Sequence, residues 1–178
     1  MDDLERTLIL RVRDHDVDAF SEWIQAHWVR LVGFARSTVG DSDAEDIVQD
    51  SLVIAWAKIG SLRAPEAFLS WVLRIIFRAC LRRKRRLSRF FPLAVLKEKE
   101  HPRQPSQTQS VDVENVLALL APRQRAVMHL TYLEGMSDSE IGSSLGIAAA
   151  SVRSHRRRAR ETLQQVTGHK EVLDHESA

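Results

Sequence analysis

Apolar positions recur at helical rather than alternating spacing through residues 17 to 86, which predicts nearly continuous helix broken at Gly40-Asp41-Ser42 and around Gly60-Ser61. Within it, Ile47, Val48, Leu52, Ala55, Trp56 and Ile59 form one stripe of a helix over Ala44 to Ile59. The next helix starts at Pro65, acceptable at a first helical position, and turns Phe68, Val72, Ile75, Ile76 and Ala79 inward. From Ser88 to about Ser110 the pattern gives way to three prolines and the polar run Gln104-Pro105-Ser106-Gln107-Thr108-Gln109-Ser110, which reads as a linker. Helical patterning returns in short pieces over 112 to 166, and the tail from 168 reads as frayed. The fold class expected is all-α: two small helical domains, 1–87 and 112–167, strung on a flexible linker over 88–111.

Composition narrows the class. A chain of 178 residues, 44% hydrophobic and 28% charged, suits one domain of ordinary size or two small ones. The apolar stretch from Phe68 to Leu81 is interrupted by Ser70, Arg74 and Arg78, far short of the roughly 20 apolar residues that cross a bilayer, so no membrane insertion is expected. The acidic start Met1-Asp2-Asp3-Leu4-Glu5 lacks the marks of a secretory signal, which points to the cytoplasm. Cys80 has no cysteine to pair with and, between Ala79 and Leu81, reads as packing. The seven histidines show no metal-ligand spacing, and no nucleophile, base and orienter assemble in any segment. No cofactor, metal or catalysis is expected.

The formal charge of +2 hides a strong partition. Residues 1 to 73 carry 7 basic and 13 acidic side chains, giving −6; residues 74 to 89 carry 8 basic and no acidic ones, giving +8; the remainder balances at 11 of each. Of the 26 basic residues 21 are arginine, a choice that suits phosphate forks and guanine edges, although a GC-rich genome produces the same bias. Trp71, Arg74, Arg78, Arg82 and Arg85 lie along one helical face, so an aromatic leads a column of like charges that repel one another by about 0.2 to 0.5 kcal/mol per neighbouring pair. Nucleic acid is the first expectation for what neutralises them, anionic lipid the second. On the preceding helix Asp46, Gln49, Asp50 and Val53 face away from the apolar stripe. With Asp43 and Glu45 they read either as solvated capping of a helix N-terminus or as an acidic face for a basic partner.

Residues 137 to 163 carry the most specific pattern. Ser137-Asp138-Ser139-Glu140 is a capping box that starts a short helix, Gly146 supplies the left-handed residue that ends it, and Ala148-Ala149-Ala150-Ser151 opens a second. Ile141, Leu145, Ile147 and Val152 are placed to form the core between them, with Gly142 allowing close approach. This is a helix-turn-helix, and Ser151, Arg153, Ser154, Arg157 and Arg158 of its second helix are the residues placed to reach DNA in a major groove. The same geometry also serves as plain scaffold. Ahead of it Pro122 opens a supporting helix with Ala126, Val127, Leu130 and Leu133 inward and Gly135 closing.

Together these features resemble the extracytoplasmic-function (ECF, group IV) bacterial sigma factors, which direct RNA polymerase to promoters. The similarity rests on Asp43-Ala44-Glu45-Asp46-Ile47-Val48-Gln49-Asp50, Trp56 and Ala67-Phe68-Leu69-Ser70-Trp71-Val72-Leu73-Arg74-Ile75 in the first half. In the second it rests on Leu120-Ala121-Pro122-Arg123-Gln124-Arg125, Glu140-Ile141-Gly142, Leu145-Gly146-Ile147, Ser151-Val152-Arg153-Ser154 and Arg158-Ala159-Arg160. The resemblance implies that 1–87 is sigma domain 2 and 112–167 sigma domain 4. Asp46, Gln49, Asp50 and Val53 would then bind core polymerase. Arg63, Phe68, Trp71, Arg74, Arg78, Arg82 and Arg85 would take the downstream promoter element near minus 10, and Ser151, Arg153, Ser154, Arg157 and Arg158 the upstream element near minus 35. It also implies an anti-sigma factor as an inhibitory partner.

This chain departs from that pattern at several points. Arg78 stands where the family usually has Asn and Arg82 where it often has Asp; Arg156 replaces a customary apolar residue, His155 a customary Arg, and Leu120-Ala121-Pro122 the usual Leu-Pro. Two other functions use only half the chain. A stand-alone helix-turn-helix regulator would dimerise through residues 17 to 86 and bind a palindrome, and a lipid-surface regulator would use Arg82 to Arg86.

Overall fold

The structure is a computed structural model that describes residues 3–40, 42–62, 64–90, 117 and 119–167. Among these residues every regular element is helical: α1 (Asp3–Arg13), α2 (Val17–Val39), α3 (Ala44–Lys58), α4 (Phe68–Phe90), α5 (Pro122–Tyr132), α6 (Asp138–Leu145) and α7 (Ala149–Thr167), with single 3₁₀ turns at Ile59–Ser61 and Pro65–Ala67. The all-α architecture expected from the apolar spacing is the one found.

Each boundary has a local cause. Asp16 caps α2 by accepting a hydrogen bond from the Ala19 N–H at 3.0 Å, and it also accepts Arg11 Nε at 2.9 Å. These two contacts, the backbone one foremost, hold its carboxyl below the usual range. The helix ends at Gly40, whose φ of 94° is open to glycine and whose N–H reaches the Arg36 carbonyl. Pro65 opens a 3₁₀ turn, and α4 begins three residues later and runs through Phe90. Its last turn therefore continues past the expected end of the first domain at 87. Helix α1, which the apolar reading left out, places Ile9 and Val12 in the core. Its signal is present as Leu8, Ile9 and Val12 at helical spacing.

Aromatic rings fill the centre of the first half. Trp23 lies 4.5 Å from Phe68 between ring centroids, Phe20 stacks on Trp56 at 5.0 Å, and Phe34 lies 6.4 Å from Phe77. The stripe of α3 is buried as expected, with Trp56 half-exposed at its rim; on α4, Phe68, Val72 and Ile76 are buried and Ile75 and Ala79 half-buried.

The two helical halves pack against each other. Ala126, Val127 and Leu130 of α5, Ile141 and Leu145 of α6, and Val152 of α7 belong to the same buried cluster as Trp23, Phe34 and Phe77. Helix α6 lies on α4 and α5 on α2, and an Arg30–Glu134 ion pair bridges the second contact. The reason is size: helices of 11 and 8 residues expose apolar faces too large to cover among themselves, and they cover them on the larger half. The expected inward placement of Leu133 is corrected. Helix α5 ends at Tyr132, and Leu133 follows in a turn, 72% exposed rather than inward, before Gly135 reverses the chain at φ 60°. Of the expected linker, Ser88–Phe90 are helical; residues 91–111, like the tail 168–178, lie outside the described residues.

Candidate nucleic-acid interface

Helix α3 presents Asp46, Gln49, Asp50 and Val53 together on its exposed side, spaced i, i+3, i+4 and i+7. Val53 is an apolar side chain 69% exposed among acids. Such a mixed face is suited to a basic partner that also brings apolar surface. Asp43 belongs elsewhere: rather than capping α3, its carboxylate takes both arms of Arg83, Nε at 2.9 Å and Nη2 at 2.7 Å. That fork raises the Arg83 pKa and tethers the basic end of α4 to the start of α3.

The column on α4 is placed unevenly. Arg78, Arg82 and Arg85 are exposed. Trp71 is half-buried, stacked against Phe68 with 27° between the rings. Phe68 itself is fully buried against Trp23, so its place among the DNA-contacting candidates is corrected: it is the core support beneath Trp71. Arg74 is half-buried and donates from Nε to the Ser143 carbonyl of α6 at 2.8 Å. With Arg78 it lines an open groove of about 470 Å³ whose far wall is Gly142, Ser143, Gly146 and Ala149. Arg63 lies outside the described residues.

The helix-turn-helix forms as its spacing predicts. Ser137 Oγ accepts the Glu140 N–H at 3.3 Å, and the Ser137 N–H returns a bond to Glu140 Oε2 at 2.8 Å. The Ser137 hydroxyl, which donates to Glu140 Oε2 at 2.6 Å, and then the Ser137 N–H hold the Glu140 carboxyl below the usual range. Gly146 takes the left-handed conformation at φ 69°, and a Cβ on Gly142 would sit 2.7 Å from the Ile147 carbonyl oxygen, which fixes why the two helices approach here. On α7, Val152 and Ala159 face inward; Arg153, Arg157 and Arg158 are exposed, and Ser151 and Ser154 half-buried. Burial, then the cations of Arg123 and Arg158, push the His155 pKa down, so this face is cationic without it at neutral pH.

Sequence reasoning missed the partners these arginines keep. Arg156 is held by Asp138, Nη1 to Oδ1 at 2.7 Å and Nη2 to Oδ2 at 3.3 Å. Arg160 donates to the Tyr132 hydroxyl at 2.6 and 3.0 Å, tying α7 to α5. Asp138 carries a legible sign only as part of the capping box. Its charge stands 15 and 18 residues before Arg153 and Arg156, and no helical period links the two stretches. No group of His, Cys, Asp or Glu among the described residues is placed to hold a metal ion. Burial pushes the Cys80 thiol up to about 12, which leaves it unreactive. No described helix is long and apolar enough to cross a membrane.

Two family descriptions match this chain: "Sigma-70 region 2" over residues 23–90 and "Sigma-70, region 4" over residues 110–163. The ECF RNA polymerase sigma factor SigM of Mycobacterium tuberculosis is 34% identical over 155 residues, 85% of this chain and 78% of SigM. The chain belongs to the sigma-70 family. CnrH, a sigma factor of Cupriavidus metallidurans, solved in complex with the cytosolic domain of CnrY, superimposes with a TM-score of 0.69 at 28% identity, over 93% of this chain and 98% of CnrH. RpoE of Bartonella quintana, solved in complex with the anti-sigma factor NepR, gives 0.68 at 26% identity, over 86% and 99%. A sigma factor of this kind binds core RNA polymerase and promoter DNA and directs initiation. The stand-alone regulator is not favoured, because it leaves the region 2 match without a role.

Proposed function

We propose that this sigma factor belongs to the extracytoplasmic-function group, group IV, acts in the bacterial cytoplasm, and catalyses nothing itself. The observation that carries the reading is the pairing, in one chain, of an acidic face with an exposed apolar residue on α3 and cationic faces on α4 and α7. In this reading domain 2 spans 1–87 and domain 4 spans 112–167. Asp46, Gln49, Asp50 and Val53 dock core polymerase. Trp71, Arg78, Arg82 and Arg85 serve the opened downstream element, where exposed bases stack on an aromatic or a guanidinium at about 1 to 3 kcal/mol each. Arg74 joins them once its bond to Ser143 is given up. Ser151, Arg153, Ser154, Arg157 and Arg158 read the upstream element in the major groove.

An anti-sigma factor is the proposed regulator. RpoE was solved with the anti-sigma factor NepR bound and CnrH with the cytosolic domain of CnrY, and this chain superimposes on both over most of its length. Run-off transcription with core polymerase tests the function. Initiation at selected promoters is expected, and a chain that never associates with core enzyme ends the proposal. Tight, polymerase-independent binding to a palindromic duplex favours the stand-alone regulator instead.

A further inference from the structure

Two arginines of α7, one helical turn apart, reach for a single carboxylate. Arg156 takes both oxygens of Asp138, at 2.7 and 3.3 Å, whereas Arg153 Nη1 reaches only Oδ2, at 3.5 Å. Their exposures differ in the same sense: 24% for the Arg156 side chain and 61% for that of Arg153. A guanidinium forked on a carboxylate uses the acceptor directions that a second fork needs and leaves another guanidinium only single contacts. Arg153 is left with a long, solvated contact, of a kind worth little.

We propose that Arg156 and Asp138 are positioning residues that set the promoter specificity of the recognition helix: by occupying Asp138, Arg156 releases Arg153 to read a base. Without Arg156 the carboxylate turns its full acceptor capacity to Arg153, which then forms the fork itself and is drawn back toward α6. A base contact must afterwards break a bidentate pair instead of a long single one. Asp138 stands in the first turn of α6, and Arg153 and Arg156 are three residues apart on α7. The competition therefore needs only side-chain rotation, with no movement of either helix. The inference rests on the upstream-reading role proposed for α7.

The test uses the full chain with core polymerase, transcribing a promoter pool randomised in the upstream element, with the transcripts sequenced. Arg153→Ala identifies the base pair at which Arg153 discriminates. At that pair Arg156→Met is expected to lose about tenfold in preference, in line with the value of one bidentate base contact. The double variant Asp138→Asn with Arg156→Met is expected to regain it, because Arg153 then has no carboxylate to pair with. Arg156→Lys keeps a cation in place, protects the fold and offers a point charge in place of a fork, so it gives a partial loss. A loss in Arg156→Met that persists in the double variant marks Arg156 as packing only and overturns the proposal. So does a wild-type preference in both Arg156→Met and Arg156→Lys, or an Arg153→Ala variant with unchanged preference at every pair. Absence of promoter selection by the wild-type chain strikes the proposed function instead.

Discussion

A methyl group at position 142 has nowhere to go, because its carbon would stand 2.7 Å from the Ile147 carbonyl oxygen in the turn between α6 and α7. The obstacle is backbone, so relief requires the turn itself to open. Gly142→Ala is expected to destabilise the helix-turn-helix by about 1 to 3 kcal/mol, the usual cost of forcing extra volume into a packed contact. Thermal unfolding followed by circular dichroism checks it, and an unchanged midpoint removes the close approach. Glu140 bears on the same motif from its other end. Its carboxyl is held below the usual value by the Ser137 bonds. The folded chain therefore binds fewer protons than the unfolded one, and the contribution is complete above the ordinary carboxylate range and lost as pH falls through the lowered value. Ser137→Ala deletes the hydroxyl donor and keeps the backbone one, so it is expected to weaken that acid sensitivity in an acid-unfolding curve and to cost about 0.5 to 2 kcal/mol at neutral pH through the lost cap.

Helices α3 and α4 carry the proposed division between docking and melting, and they can be tested separately. Asp50→Lys, on an exposed position of α3, is expected to weaken association with core polymerase while leaving the helical signal intact; equal affinity by fluorescence anisotropy removes this face from the docking surface. Arg78→Ala is expected to impair strand opening more than closed-complex formation, and unchanged permanganate reactivity of melted thymines refutes that role. Both faces were legible in the sequence, since a helical period sorts buried Ile47, Val48 and Leu52 from exposed Asp46, Gln49 and Asp50 without reference to anything distant. The periodicity could not report what a polar residue touches across the molecule. Asp43 read as either a capping acid or part of an acidic docking face and is Arg83's partner, 40 residues on; Phe68 read as both core and DNA contact and is buried in the core. The same blindness hid the Arg156–Asp138 pair, where each residue shows its own helix position and neither shows the other.

At the scale of the whole molecule the two halves meet along a seam that no local pattern announces, with Arg74 on Ser143 at one end and Arg30 with Glu134 at the other. In this arrangement Arg74 is spent on protein, so full use of the α4 column requires the seam to part. His129 sits inside the seam. It is buried, its ring lies edge-on to Phe34 of α2 at 5.7 Å, and its Nε2 lies 3.5 Å from Glu134. Burial pushes its pKa below the ordinary value most strongly; the Arg30 cation adds to that, and Glu134 opposes it. The docked form therefore binds fewer protons than the parted form. The docking it supports is complete above the ordinary histidine value, near 6.5, and declines as pH falls from there toward the lowered one. Small-angle scattering of the full chain is expected to show a radius of gyration that grows as pH drops from about 7 to about 5. His129→Phe keeps an aromatic edge against Phe34 without a titrating proton and is expected to hold the radius constant over the same interval. A wild-type radius that stays constant, or a His129→Phe radius that still grows, takes the seam's pH response away from this residue.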